Sequence, residues 1–303
     1  FEDIPYAQPP VGYLRWKAPR EIKSSEADIK PKNDNFCVQR PSNLGGIESE
    51  EDFVGTEDCL YLDIHRPKKL SQKLPVMFWI HGGGNTSGYK DTYDFSKMVK
   101  KHNVLVVRIN YRLGPFGWFY HPAIQNIQSG IDKTSNFGTL DIVASLDWVN
   151  ENINLFGGDQ NNITIFGESA GGHNVFSLLV SKQAKGLFHK AISMSGYTES
   201  IPSKDAYKQS EQSFKSNHTS WSVVNRILMD LNYERKQDEF SKIEIRNILY
   251  GLSGIDFYSY YQDRKNFEEI PLLTNDGIVI PKIGLEEALS KTEHVNIVPT
   301  IAG

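Results

Sequence analysis

The chain has 303 residues, a formal net charge of −4 and a pI near 6.1, and 39% of its residues are hydrophobic. Its apolar runs all fall short of the ~20 residues that a membrane-spanning helix needs, and its basic residues form no cluster of the kind that binds nucleic acid. This composition is typical of a globular protein with a large core, and it supports neither a membrane-spanning segment nor a nucleic-acid partner.

The N-terminal part of the chain predicts little regular structure. Phe1–Pro19 is rich in proline and aromatic residues, and Glu21–Glu57 is polar and rich in turn-forming residues. The two cysteines, Cys37 and Cys59, both precede the predicted core strands. A disulfide between them would close a loop of about 20 residues and contribute on the order of 3 kcal/mol through the unfolded state. Two unrelated buried thiols are the alternative.

The middle of the chain alternates predicted strands and helices. Cys59–His65 alternates apolar and polar residues, which predicts a half-buried antiparallel strand. The apolar runs Pro75–Ile80 and Asn103–Asn110 predict interior strands, with helical spacing in Phe95–His102 between them. Strand, helix and strand in this order are typical of a parallel or mixed sheet with crossover helices. Further segments are predicted as helices (Gly138–Ile153, Gly172–Ser181, Leu285–Leu289) and as strands (Ile163–Phe166, Lys190–Met194, Val295–Ala302).

A serine lies at the centre of a small-residue turn between a predicted strand and a predicted helix. The segment Gly167–Gly171 reads Gly-Glu-Ser-Ala-Gly and matches the G-x-S-x-G nucleophile elbow, in which a sharp turn exposes the serine hydroxyl. Gly167 and Gly171 are needed because strand and helix approach too closely for a Cβ at either position. The pattern predicts Ser169 as a nucleophile.

A glycine run follows the strand Pro75–Ile80. His81-Gly82-Gly83-Gly84 matches a turn whose backbone N–H groups, with the N–H after the nucleophile, form an oxyanion hole. The predicted donors are Gly83, Gly84 and Ala170. A flexible loop is the alternative for this run taken alone.

The segment 202–271 differs from the rest of the chain, since it is charged, helix-prone and dense in aromatic residues. We interpret it as an insertion after a core strand. Its aromatic residues either line a substrate pocket or pack the insertion onto the core. They are Trp221, Tyr250, Phe257, Tyr258, Tyr260, Tyr261 and Phe267.

Several stretches in the same order resemble the type-B carboxylesterase family of α/β-hydrolases and cover almost the whole chain. They are Ile4–Ala7 with Pro9–Gly12 and Arg15-Trp16, Glu57–Leu62, His81–Gly84, Asn110–Gly114, Phe156–Asp159 and Gly167–Gly172. The resemblance implies an α/β class, α/β-hydrolase fold with a mostly parallel central sheet and helices on both faces, incomplete at the C-terminus. It implies one partial domain over residues 1–303 that carries the insertion.

The resemblance also implies a function. Ser169 would be the nucleophile of a serine carboxylesterase that cleaves small-molecule carboxylic esters through an acyl-enzyme, and Gly83, Gly84 and Ala170 would bind the oxyanion. Glu168 looks like the acidic neighbour that shapes the site's electrostatics. Cys37–Cys59 matches the family's first disulfide, which favours an oxidising compartment and so a secreted or periplasmic protein. No metal or organic cofactor is expected.

One part of the family pattern is missing. In α/β-hydrolases the acid and then the histidine of the triad follow the serine. The family's acid follows a strand resembling Val295–Ala302, and its histidine comes much later in a His-Gly context. The chain stops at Gly303, before either position. We therefore expect a fragment truncated at both ends and inactive alone.

The sequence is compatible with more than one reading of some features. His173, one turn after Ser169, is expected to face helix neighbours or solvent, and Asn85 stands where the family usually has an aromatic residue. A non-catalytic interaction or adhesion module, or a peptidase or acyltransferase on the same fold, are the alternative functions. The sequence does not specify the acyl and alcohol groups or the oligomeric state.

Overall fold

The computed structural model describes residues 1–22, 35–43, 45–208, 219–261 and 273–303. The strands are β1 (Ile4–Pro5), β2 (Tyr61–His65), β3 (Leu74–Ile80), β4 (Leu105–Ile109), β5 (Gly158–Glu168), β6 (Lys190–Met194), β7 (Ser200–Ile201), β8 (Leu273–Thr274) and β9 (Thr300–Ala302). The α-helices are α1 (Ser96–His102), α2 (Gly114–Gly117), α3 (Pro122–Gln125), α4 (Phe137–Asn152), α5 (Ala170–Val180), α6 (Ser203–Tyr207), α7 (Ser220–Asp230), α8 (Lys242–Gly251), α9 (Gly254–Tyr261) and α10 (Leu285–Leu289).

Within the described ranges, seven strands form one sheet in the order β1-β2-β4-β3-β5-β6-β9. Strands β1, β2 and β4 pair antiparallel, whereas β4, β3, β5, β6 and β9 pair parallel. The central strands are continuous apolar runs because both faces of the sheet are covered. Every residue of β4 is buried, for example. The predicted α/β class and mostly parallel central sheet are confirmed.

Strand β2 corrects one expectation, because both of its faces are buried rather than one. Asp63, at a position predicted to face water, is 0% exposed. Its carboxylate accepts from Arg108 Nη2 at 2.7 Å and from Lys90 Nζ at 3.0 Å. A buried charge is tolerated when it is paired and hydrogen-bonded. The polar residue in the alternation therefore marks a buried ion pair and not a solvent face.

The C-terminal strand is shorter than predicted. Strand β9 covers only Thr300–Ala302, and residues 292–294 form a 3-10 helix. The Asn296 side chain donates to the carbonyl oxygens of Leu178 and Ser181, both at 2.9 Å. The segment before β9 therefore satisfies unpaired carbonyl groups at the C-terminal end of α5.

The aromatic residues of helix α9 pack into the body of the protein. Phe257 and Tyr258 are fully buried and belong to one apolar cluster with Trp16 and Phe116. The ring centroids of Trp16 and Phe257 lie 5.0 Å apart in an edge-to-face arrangement. These contacts support the packing role for the aromatic residues of α9. Phe267 lies outside the described residues.

Cys37 and Cys59 are joined by a disulfide, so the predicted bond is confirmed. The bond attaches the loop before β2 to the edge of the sheet. A second long-range contact acts nearby, because the Arg15 guanidinium pairs with the Glu57 carboxylate at 2.6 Å and donates to the carbonyl oxygen of Leu252. Among the described helices, none has the length and apolar character to cross a membrane.

Candidate active site

The two predicted motifs meet at the C-terminal ends of adjacent parallel strands. Strands β3 and β5 pair directly, with Ile80 opposite Gly167. The turn that follows β3 therefore lies against the turn that follows β5. A Cβ placed on Gly82 would come within 2.8 Å of the Glu168 carbonyl oxygen and 3.4 Å of Ser169 Cβ. The glycine turn and the candidate nucleophile are thus in contact.

Ser169 occupies the strained backbone conformation predicted for an elbow. Its φ of 55° and ψ of −120° are uncommon for a residue with a side chain, and such a conformation costs about 1–3 kcal/mol. The surroundings hold it in place, since Ser169 N–H donates to the Met194 carbonyl oxygen at 2.9 Å and its own carbonyl accepts from His173 N–H at 3.0 Å. Ser169 is the N-cap of α5 and is partly exposed.

The glycines of the elbow are required by close backbone approach. A Cβ on Gly171 would lie 2.1 Å from the Ile80 carbonyl oxygen, and one on Gly167 would lie 2.5 Å from the Gly171 carbonyl carbon. Both distances are far shorter than a carbon atom tolerates. Helix α5 begins at Ala170, two residues earlier than predicted, because the turn is so tight that Ser169 itself is the capping residue.

The predicted oxyanion donors have free N–H groups. Gly83 and Gly84 adopt φ values of 99° and 62°, and the Gly83 carbonyl accepts from Thr86 N–H and Ser87 N–H at 3.0 and 2.9 Å. Nothing in the described part of the chain accepts a hydrogen bond from the N–H of Gly83, Gly84 or Ala170. Ala170 is also the first residue of α5, where the helix dipole favours negative charge. These amides can bind an oxygen that gains charge.

The His81 side chain holds the glycine turn through a hydrogen bond to Gly82. Its ring is buried and stacks on Tyr111 with 4.3 Å between centroids, and Nδ1 donates to the Gly82 carbonyl oxygen at 2.8 Å. Burial lowers the pKa of His81 to about 4, so the ring is neutral at pH 7. The Tyr111 hydroxyl donates to the His81 carbonyl oxygen at 2.6 Å.

His173 is enclosed, so the part of the expectation that allowed it to face solvent is wrong. Its Nε2 donates to the Glu199 carbonyl oxygen at 3.0 Å, and its ring centroid lies 3.9 Å from that of Tyr197. Burial lowers the pKa of His173 to about 3. Across residues 1–22, 35–43, 45–208, 219–261 and 273–303, no imidazole is hydrogen-bonded to the Ser169 hydroxyl.

Glu168 is partly exposed beside the nucleophile. Its Oε2 lies 3.2 Å from the position that a Cβ on Gly82 would take, so its carboxylate lies next to the glycine turn. The described residues include no cluster of three or more His, Cys, Asp or Glu side chains that could hold a metal ion.

Sequence reasoning missed the role of two buried amides at the site, since it noted Asn85 only as a departure from the family pattern and did not single out Asn174. Asn85 follows the glycines directly in a left-handed conformation with φ of 58°, and its carbonyl accepts from Gly114 N–H at 2.7 Å. Asn174 on α5 donates through Nδ2 to Asn85 Oδ1 at 2.9 Å. The one sequence signal was Asn after a glycine run, because Asn tolerates the left-handed region. From helix α9, Tyr258 Oη donates to the neighbouring Thr86 carbonyl oxygen at 2.7 Å.

Comparison with known proteins places the chain in a well-populated group. A profile described as "Carboxylesterase family" matches residues 1–302. The para-nitrobenzyl esterase of Bacillus subtilis (strain 168) is 42% identical over 68% of this chain and 42% of its own length. Carboxylesterase 1E of Rattus norvegicus is 36% identical over 100% of this chain and 53% of its own length. The solved structure of a PNB esterase superposes with a TM-score of 0.80 at 32% identity, covering 100% of this chain and 58% of that chain. The chain spans about half the length of the curated relatives that it matches along its whole length.

Proposed function

The chain belongs to the carboxylesterase family, and we propose that the protein hydrolyses carboxylic esters with Ser169 as its nucleophile. The observation that carries the proposal is the contact between the strained, partly exposed Ser169 and a glycine turn with free N–H groups. Such a pairing serves acyl transfer, in which a hydroxyl attacks a carbonyl carbon and the carbonyl oxygen becomes charged.

In the proposed mechanism the Ser169 hydroxyl attacks the ester carbonyl and loses its proton to a histidine. The N–H groups of Gly83, Gly84 and Ala170 donate to the oxyanion, the alcohol leaves with a proton from that histidine, and water then hydrolyses the acyl-enzyme. The described residues offer Ser169 no imidazole, and the chain spans about half the length of its curated relatives. We assign the histidine and its orienting acid to positions beyond residue 303, and infer that residues 1–303 alone are inactive.

Glu168 contributes to the proposed mechanism through its negative charge. Its carboxylate lies beside Gly82 at the edge of the site. A negative charge there favours the imidazolium ion that forms when the histidine takes the serine proton, since opposite charges attract at short range. We assign Glu168 an electrostatic role and not that of the triad acid.

The proposed substrates are small-molecule carboxylic esters, and the mechanism needs no cofactor. The Cys37–Cys59 disulfide supports a protein that folds in an oxidising compartment. We therefore propose a secreted or periplasmic location.

The test uses the full-length protein, short-chain aryl esters and an organophosphonate that forms a covalent bond with an activated serine. Ser169→Ala should reduce turnover by several orders of magnitude. The phosphonate should label the peptide that contains Ser169. Ser177→Ala is a matched control, because Ser177 lies on the same helix and its hydroxyl donates to the Asn174 carbonyl oxygen at 2.7 Å. Undiminished hydrolysis by Ser169→Ala would refute the assignment. A folded wild-type protein that neither hydrolyses esters nor reacts with the phosphonate would favour a non-catalytic interaction module.

A further inference from the structure

The segment that provides two of the three proposed oxyanion donors has no side chains of its own. Gly82, Gly83 and Gly84 cannot anchor themselves by packing, and glycine is the residue with the greatest backbone freedom. Their position depends on the backbone hydrogen bonds that close the turn at the Gly83 carbonyl and on the residues at the two ends of the run, His81 and Asn85. Both are almost completely buried, at 1% and 0% exposure.

A side-chain hydrogen bond holds each end of the glycine run. At the C-terminal end, Asn174 Nδ2 donates to Asn85 Oδ1 at 2.9 Å. At the N-terminal end, the His81 carbonyl oxygen accepts from the Tyr111 hydroxyl at 2.6 Å. The Asn174 amide therefore holds the C-terminal end of the run, and the Tyr111 hydroxyl holds the N-terminal end.

Asn174 is also rigidly connected to the nucleophile. It lies on α5, of which Ser169 is the N-cap and Ala170, the third proposed donor, is the first residue. The start of this helix is pressed against the end of β3, since a Cβ on Gly171 would lie 2.1 Å from the Ile80 carbonyl oxygen. A group fixed to α5 therefore moves with Ser169 and Ala170.

A contribution to stability alone does not explain the hydrogen-bonded pair of Asn85 and Asn174. Asn85 Nδ2 and Asn174 Oδ1 are buried and have no partner within the described residues. A buried polar atom without a hydrogen bond costs about 1–3 kcal/mol, and an apolar pair of similar shape would avoid that cost. A role in the geometry of the site accounts for the pair.

We propose that Asn174 is a positioning residue, which fixes Gly83 and Gly84 relative to Ser169 by holding Asn85. The inference rests on the proposed function. The oxyanion forms only as the reaction proceeds, so contacts to it act on the transition state more than on the bound substrate. Loss of the Asn174 contact should therefore lower kcat and leave KM nearly unchanged.

The experiment measures both constants for a short-chain aryl ester with full-length Asn174→Ala, Asn85→Gly and the double variant. Glycine is chosen at position 85 because φ of 58° suits it, so only the amide is removed. A misplacement of about 1 Å at a reacting centre can cost ~10²-fold, and we expect each single variant to lose kcat by about that factor. The double variant should have a kcat no lower than that of the less active single variant, because both single changes remove the same hydrogen bond.

A trifluoromethyl ketone provides a second measurement, because Ser169 adds to it and forms a stable oxyanion. The affinity of each single variant for this ketone should fall, relative to the wild type, by the same factor as its kcat/KM. Asn296→Ala is the matched control, since it removes two hydrogen bonds from the opposite end of α5. It should lower thermal stability and leave kcat within about twofold of the wild type.

Wild-type kcat in Asn174→Ala would overturn the inference, as would an equal loss of kcat in Asn296→Ala. If Asn174→Ala does not fold, Asn85→Gly tests the same bond from the turn. These outcomes are distinct from a failure of the proposed function, which would appear as full activity in Ser169→Ala.

Discussion

Alanine at position 83 is the most direct perturbation of the glycine turn. Gly83 has φ of 99°, and a Cβ there would lie 2.2 Å from the Ser87 carbonyl oxygen and 3.0 Å from Ser87 Oγ. An alanine could be accommodated only if the backbone moved by about 1 Å, a shift large enough to cost ~10²-fold in rate. The carbonyl of Gly83 would move as well, and with it the hydrogen bonds from Thr86 and Ser87 that close the turn.

The expected effect on catalysis is larger than that on stability. Loss of one oxyanion donor costs about 10²–10³-fold in kcat, which corresponds to about 2.7–4 kcal/mol. Since Gly83 and Gly84 are adjacent, a displaced backbone weakens both donors, and we expect kcat to fall at least 10³-fold with KM little changed. A positive φ in a residue with a side chain costs about 1–3 kcal/mol of folding free energy.

Steady-state hydrolysis of an aryl ester and thermal unfolding of the full-length Gly83→Ala variant measure the two effects. The control is Gly186→Ala, because Gly186 also has a positive φ, of 83°, but no atom within 4 Å of its added Cβ. It should lose comparable stability and keep its kcat. If Gly83→Ala hydrolyses esters at nearly the wild-type rate, the turn is not the oxyanion site and the reasoning is refuted.

Two further predictions concern stability. The Cys37–Cys59 bond spans 22 residues, so replacing both cysteines by serine should lower the free energy of unfolding by about 3 kcal/mol, measured by chemical denaturation; two free thiols in non-reducing peptide maps of material from an oxidising compartment would contradict the bond. Burial lowers the pKa of His81 and His121 to about 4, so as the pH falls below 6.5 the unfolded state takes up protons before the folded state does. The contribution of the two neutral imidazoles to the free energy of unfolding is therefore fully present above pH 6.5 and is lost towards pH 4. At pH 5 the loss is about 2 kcal/mol per imidazole. Equal unfolding midpoints at pH 7.5 and pH 5 would exclude this, and His121→Gln should reduce the pH dependence.

The backbone of the site was predictable because its glycines are local requirements. The close approach of helix to strand requires glycine at positions 167 and 171. The run at 82–84 is recognisable from its place directly after an apolar strand. Such requirements depend on a few neighbouring residues, so they can be recognised in the sequence. The order of strands and helices followed from hydrophobic periodicity in the same way.

The side-chain partners were not predictable, because they are set by residues far apart in the chain. Asn174 and Asn85 are ordinary polar residues until α5 and the glycine turn are brought together. The burial of Asp63 likewise depends on Arg108 of the neighbouring strand β4 and on Lys90 in the segment after β3. A polar residue in the alternating pattern of a strand indicates a solvent-exposed face only when no charged side chain of a neighbouring element pairs with it.

The neighbouring positions of β3 and β5 in the sheet have a kinetic consequence. The two halves of the site come from strands that are adjacent in space, yet β4 and α4 lie between them along the chain. Contacts of such long range form slowly, because the intervening segment must lose its freedom before the pairing stabilises anything. During refolding, the ability of Ser169 to react with a phosphonate should therefore appear late, when β3 and β5 have paired. Such a reagent would count natively folded molecules in a preparation, which ordinary spectroscopic signals of helix content cannot do.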